Sequence, residues 1–127
     1  MIRNANGFTL IEALVAVAVM AIVVSGLASM GVTTIQADTQ SRRVSAATAL
    51  AQAKLEELRG LRRSNTAWTA GNHHETGLDE SGESGGSYTR QWTVQNNYNS
   101  YNKLSRVTVT VSWDNGAGSV RVASLFW

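Results

Sequence analysis

Residues 13–32 read ALVAVAVMAIVVSGLASMGV, and no charged side chain occurs between Ala13 and Ile35. Apart from two serines and two glycines the quoted run is apolar. As a helix rising about 1.5 Å per residue, it spans roughly 30 Å, the thickness of a bilayer's hydrocarbon core. A helix buried inside a small soluble domain is the competing interpretation, but such helices carry a polar stripe and none is present here. The segment therefore predicts a helix surrounded by lipid or by other helices.

Toward the amino terminus this run is preceded by MIRNANG, in which Arg3 is the charged side chain, and then by Phe8, Thr9, Leu10, Ile11 and the acidic Glu12. A secretory signal peptide has an apolar stretch of about 7–15 residues followed by a small-residue cleavage site. Here the stretch is longer, the small residue Gly7 stands before it, and a carboxylate lies at its beginning. An acidic side chain costs on the order of 2.5–3.5 kcal/mol at mid-bilayer and less near an interface, so Glu12 requires a partner or access to water.

Residues 7–12, GFTLIE, followed by ALVA at 13–16, closely resemble the class III leader junction of type IV pilins and type II secretion pseudopilins. The resemblance rests on a glycine at the cleavage point, an aromatic residue after it, a glutamate five positions beyond the glycine and an uninterrupted apolar helix. It implies that a membrane-embedded prepilin peptidase cuts between Gly7 and Phe8 on the cytoplasmic face and methylates the new amino group of Phe8. It further implies that Glu12 pairs with the terminal amine of a neighbouring subunit in a filament. Such a pair attracts far more strongly in an apolar bundle than in water, and an unpaired member would be costly, so pairing favours one axial register. In the alternative, Glu12 sits near the cytoplasmic interface and reaches water. The short head and the segment AATALAQAKLEELR at 46–59 are most similar to small minor pilins and minor pseudopilins of the PilV and GspI kinds.

Beyond Ile35 the composition shifts to QADTQSRR, after which apolar residues return at helical spacing: Val44, Ala47, Leu50 or Ala51, Lys54 or Leu55, Leu58 and Leu61. Alanines at 46, 47, 49, 51 and 53 favour helix, and Glu56 stands one turn before Arg59. The helix is expected to persist to about Arg63, with Gly60 weakening its last turn; continuous from Phe8, it would measure about 84 Å. Gly26 with Ser25 and Ser29 forms a small-residue patch without GxxxG spacing, and no proline breaks the helix. Charge counting alone, with Arg3 before the span and Arg42 and Arg43 after it, favours the opposite orientation to a pilin's. The junction at Gly7 must be reachable from the cytoplasm, which places the amino terminus there and the head in the periplasm.

The sequence thus divides into a leader peptide at 1–7, a hydrophobic transmembrane or filament-core helix at 8–36, its amphipathic second half at 37–63, a glycine-rich polar loop at 64–87 and an antiparallel β head at 88–127. In the head, Tyr88, Arg90, Trp92 and Val94 alternate with polar neighbours, as do Val107, Val109, Val111 and Trp113. Asp114–Gly118 supply turn chemistry, and a returning strand turns Val120, Val122 and either Leu125 or Phe126 inward. The expected fold class is α+β, a long amino-terminal helix packed on a small three-stranded antiparallel sheet, the pilin fold by resemblance.

Composition narrows the chemistry. Eleven basic against nine acidic residues give a net charge of +2, without the surplus that drives nucleic-acid binding. With no cysteine there is no disulfide, thiolate nucleophile or Cys-based zinc site. His73 and His74 are adjacent, not spaced to share a helix face, and predict no metal centre. Asp79, Glu80 and Glu83 in a glycine-rich stretch could collect calcium, but a solvated acidic loop fits their pattern better than an EF-hand does. No catalytic constellation is legible, so the expectation is a non-enzymatic protein without cofactors. Two functions compete: a structural minor subunit of a type IV pilus-like filament, and a single-pass anchored protein whose periplasmic head binds a ligand or partner. The first implies as partners the prepilin peptidase, other pilins or pseudopilins and an inner-membrane assembly platform. It implies location in the bacterial inner membrane and then in a pilus or pseudopilus.

Overall fold

A computed structural model describes residues 7–127; of the expected leader at 1–7, residues 1–6, with Arg3, lie outside the described residues. The chain forms two units, divided between Thr39 and Gln40. Helix α1, Leu10–Gly60, contributes residues 10–39 to the first and 40–60 to the second. It begins two residues after Phe8 and stops three before Arg63. Thr9 caps its start, and Leu61 closes its end by donating its N–H to the carbonyls of Glu57 and Leu58. Helix geometry continues through Gly26 and Gly31.

In the first unit every described residue is exposed, among them Leu10, Val17, Ile22, Leu27 and Ile35. Its hydroxyl side chains turn back onto the helix. Ser25 donates to the Ala21 carbonyl at 2.8 Å, Ser29 to Gly26 at 3.0 Å, Thr33 to Ser29 at 3.0 Å and Thr34 to Met30 at 2.9 Å. Each hydroxyl is thus satisfied without water, a requirement for a polar group on a helix in hydrocarbon.

The second unit is a four-stranded antiparallel meander over the later turns of α1: β1 Gly71–Leu78, β2 Tyr88–Gln95, β3 Ser105–Trp113 and β4 Gly118–Phe126, in spatial order β1-β2-β3-β4. This corrects the expected three-stranded sheet, because β1 forms within residues 64–87, where the sequence predicts a loop. Its sequence, GNHHETGL, has no alternating apolar pattern, and only Leu78 is buried. The strand is held by backbone pairing to β2 from Gly71↔Val94 to Glu75↔Arg90, before a bulge that precedes Leu78↔Tyr88. Between Leu78 and Tyr88 the chain makes tight turns, with Gly85 and Gly86 both donating to the Gly77 carbonyl.

The core consists of Ala47, Leu50, Ala51, Leu55 and Leu58 of α1 against Tyr88, Trp92, Val94, Val107, Val109, Val111 and Trp113, with Trp68 and Phe126 closing one end. Val107, Val109 and Val111 are completely buried, each worth about 1.5–3 kcal/mol of apolar transfer. At the end of β4, Phe126 faces inward and meets Trp68 edge-on at 5.1 Å, while Leu125 points outward. Trp113 lies across its cross-strand partner Gly118, where a Cβ would come within 2.3 Å of the indole, so only glycine fits.

Two cations are buried in this core. Lys54 sits 4.1 Å from the centroid of the Trp92 ring and donates to Glu75 Oε1 at 2.9 Å and to both oxygens of Glu57 at 3.1 Å. Arg90 donates from Nε to Glu75 Oε2 at 2.9 Å and from Nη1 to the Leu50 carbonyl at 3.1 Å. Glu75 is therefore the shared counter-charge of two almost fully buried cations. Burial alone pushes its carboxyl up, but hydrogen bonds from Lys54 and Arg90 and their charges outweigh that, leaving it below the ordinary carboxylate range. Glu75→Gln should lower stability by about 2–3 kcal/mol, since it removes the counter-charge of buried Arg90 and leaves Lys54 with Glu57 alone. Because the folded carboxyl has the lower pKa, its stabilisation is complete above the unfolded value of about 4.3 and declines as pH falls through the folded one. Denaturant titration of the full chain in detergent checks both effects: the wild-type should lose stability from pH 5 to 3 more steeply than E75Q, and parallel curves would contradict the assignment.

Candidate functional site

The junction singled out in the sequence lies at the start of α1. Gly7 and Phe8 are exposed and precede the helix, so the peptide bond between them is outside the helical hydrogen-bond ladder. Thr9 is the cap: its Oγ1 accepts from the Glu12 N–H at 3.3 Å, and its carbonyl accepts from Ala13 N–H at 3.1 Å. Thr9 and Glu12 stand at capping-box spacing, and the carboxylate lies in the first turn, where the helix dipole favours negative charge. Glu12 is exposed, as are the apolar residues around it. The cap has a local sequence signal, T-x-x-E within the string GFTLIE.

From this junction α1 continues as a helix long and apolar enough to cross a membrane, and none of its most apolar 18-residue stretch is buried within the chain. Its large apolar residues from Leu10 to Ile35 are all exposed, and an extended apolar patch of this kind marks a surface that meets a membrane or a partner. Fold and junction together define a class: a membrane-associated helix with a small antiparallel sheet carried on its later turns. Residues 2–28 match the family model described as the prokaryotic N-terminal methylation motif. The chain thus carries the class III prepilin leader motif and is type IV pilin-like in that region; the motif implies processing by a prepilin peptidase and association with a membrane. Among the curated proteins and among the solved structures, nothing matched this chain.

Two of the remaining candidate residues, His73 and Asp79, are engaged within the head. His73 stacks on Trp92 at 5.0 Å between ring centroids, and its Nε2 lies 2.8 Å from the Thr69 carbonyl. Asp79 organises its own loop: Oδ1 accepts from the Ser81 N–H at 2.9 Å, the Ser81 hydroxyl at 2.7 Å and the Glu83 N–H at 2.9 Å. The Ser81 hydroxyl, then the Glu83 amide, hold the Asp79 carboxyl below its usual range. Among the described residues, no group of three or more His, Cys, Asp or Glu side chains converges on a point that could hold a metal ion.

If residues 10–35 lie in lipid, a charge in mid-span should be poorly tolerated. Ile22→Lys, at a position 74 % exposed, is expected to raise the insertion free energy by about 3 kcal/mol. Alkaline extraction of isolated membranes should then release a large share of the variant while wild-type protein stays in the pellet; equal retention would argue against the span.

Proposed function

We propose that this chain is a minor structural subunit of a type IV pilus-like filament, inserted in the inner membrane with its amino terminus in the cytoplasm and its head in the periplasm. Prepilin peptidase removes residues 1–7 and methylates Phe8, and an inner-membrane platform moves the subunit into the filament, in pilus assembly or initiation or in type II secretion. The role is structural, not enzymatic. One observation carries the proposal: the prepilin junction runs directly into a helix whose apolar surface has no partner among the described residues. Such a surface is stable in a bilayer or among like helices, and a filament supplies the second environment when the subunit leaves the first.

The capped start of α1 suits the chemistry. Cleavage at Gly7 leaves Phe8 and Thr9 as a short arm ahead of the helix, with the new ammonium four residues before Glu12. In a bundle of copies or relatives, that ammonium can meet a Glu12 carboxylate from a neighbour, and neither charge then remains alone in an apolar surrounding.

Mass spectrometry of the chain from cells with active peptidase should show a mature form beginning at N-methylated Phe8, and Gly7→Val should leave Met1 in place. An intact wild-type Met1 would instead point to a simple anchored protein. Glu12→Val should insert normally into the membrane yet enter filaments at least about tenfold less than wild-type at native expression, as expected for losing a desolvated charge pair. Equal incorporation in sheared filament fractions would remove the pairing role.

A further inference from the structure

The β2–β3 connection and the chain after α1 build a cleft of about 440 Å³ at the end of the head where Trp68 and Trp127 lie. Two tryptophans, the amides of Asn97 and Asn102, and the cations Arg63 and Lys103 line it, and among the described residues no acidic side chain does. Its wall is organised from below. Arg63 Nη1 donates to Ser105 Oγ at 2.7 Å, and Ser105, itself buried, donates to Asn96 Oδ1 at 2.8 Å. The guanidinium also lies 4.2 Å from the centroid of the Trp68 ring, while Trp68 Nε1 is committed to the Leu58 carbonyl at 3.2 Å. Arg63 is thereby fixed in place, not free to sweep solvent. The connection carries Asn97 and Lys103 in left-handed backbone conformations, and the Tyr98 N–H to Leu104 carbonyl bond at 2.8 Å closes it. Trp127 is 82 % exposed, a large apolar ring left in water beside these polar groups.

We infer that this cleft binds an acidic saccharide, with a uronic-acid unit as the recognised group. A pyranose has an apolar C–H face that rests on an indole ring, a rim of hydroxyls that both donate and accept, and, in a uronate, a carboxylate. Trp127 supplies the ring, Asn97 and Asn102 supply amides that donate and accept, and Arg63 and Lys103 supply charge-assisted donors for the carboxylate. A few polar groups around an aromatic surface are the usual make-up of a small-ligand cleft. A short acidic peptide such as triaspartate would use the cations and, through its backbone, the amides, but it has no C–H ring face to lay on the tryptophan, so the saccharide fits the whole set. The proposal is independent of how the subunit is assembled.

The test uses the full chain in lipid nanodiscs and isothermal titration with trigalacturonate, the neutral galactose trisaccharide and triaspartate. Trigalacturonate should bind with a Kd below about 1 mM, and the other two at least about tenfold more weakly. Lys103→Gln should weaken trigalacturonate binding about tenfold and Asn102→Ala about threefold, whereas Arg121→Ala should leave it unchanged. Arg121 is an exposed cation of β4 paired opposite Thr110, roughly 20 Å along the strand from the cleft. Matching circular dichroism and tryptophan spectra establish that the variants are folded. No saturable heat with trigalacturonate up to about 10 mM, equal binding of triaspartate or of the neutral sugar, or equal losses from K103Q and R121A would each overturn the assignment.

Discussion

The constraint on which everything else depends is the uncovered apolar surface of residues 10–35. The apolar side chains here need surroundings as apolar as themselves, and the described residues provide none. Lipid or other helices must supply them, so association is a physical requirement of this sequence and not an added property. The back-bonded serines and threonines meet the same constraint, because a hydroxyl that faces hydrocarbon has only its own helix to bond to.

The later turns of α1 meet a different solvent problem. Their apolar stripe is narrow and rich in alanine, and it is the sheet that completes a core with Leu50, Leu55 and Leu58. A head of this size gains little from its strands alone. Its order comes from the valines of β3, central in the core, and from the ion cluster of Lys54, Arg90 and Glu75, which leaves no buried side-chain polar atom without a partner among the described residues. That cluster ties β1 and β2 to α1 in one place, the specificity a purely apolar interface would lack.

The missed strand and the buried cluster are one phenomenon. Arg90 reads in the sequence as the inward member of an alternating strand, a position that demands a counter-charge, but Glu75 sits among histidines, glycines and threonine in a stretch without periodicity. Nothing local marks GNHHETGL as β-structure, since its stabilisation comes from pairing with β2, from the His73–Trp92 stack and from the two cations it reaches. Edge strands of this type carry little propensity of their own.

The sequence by itself determined the membrane-length helix, the methylation motif that leads into it, the amphipathic face of α1 and the inward residues of β2 and β3. Each is a repeating or local pattern that survives without knowledge of distant neighbours. Tertiary structure alone decided the fourth strand, the choice of Phe126 over Leu125 for the core, the pairing of Glu75 with Lys54 and Arg90, and the cleft at Trp127. All of these depend on residues far apart in the chain meeting in space, and their energies arise only once the meander has closed over the helix.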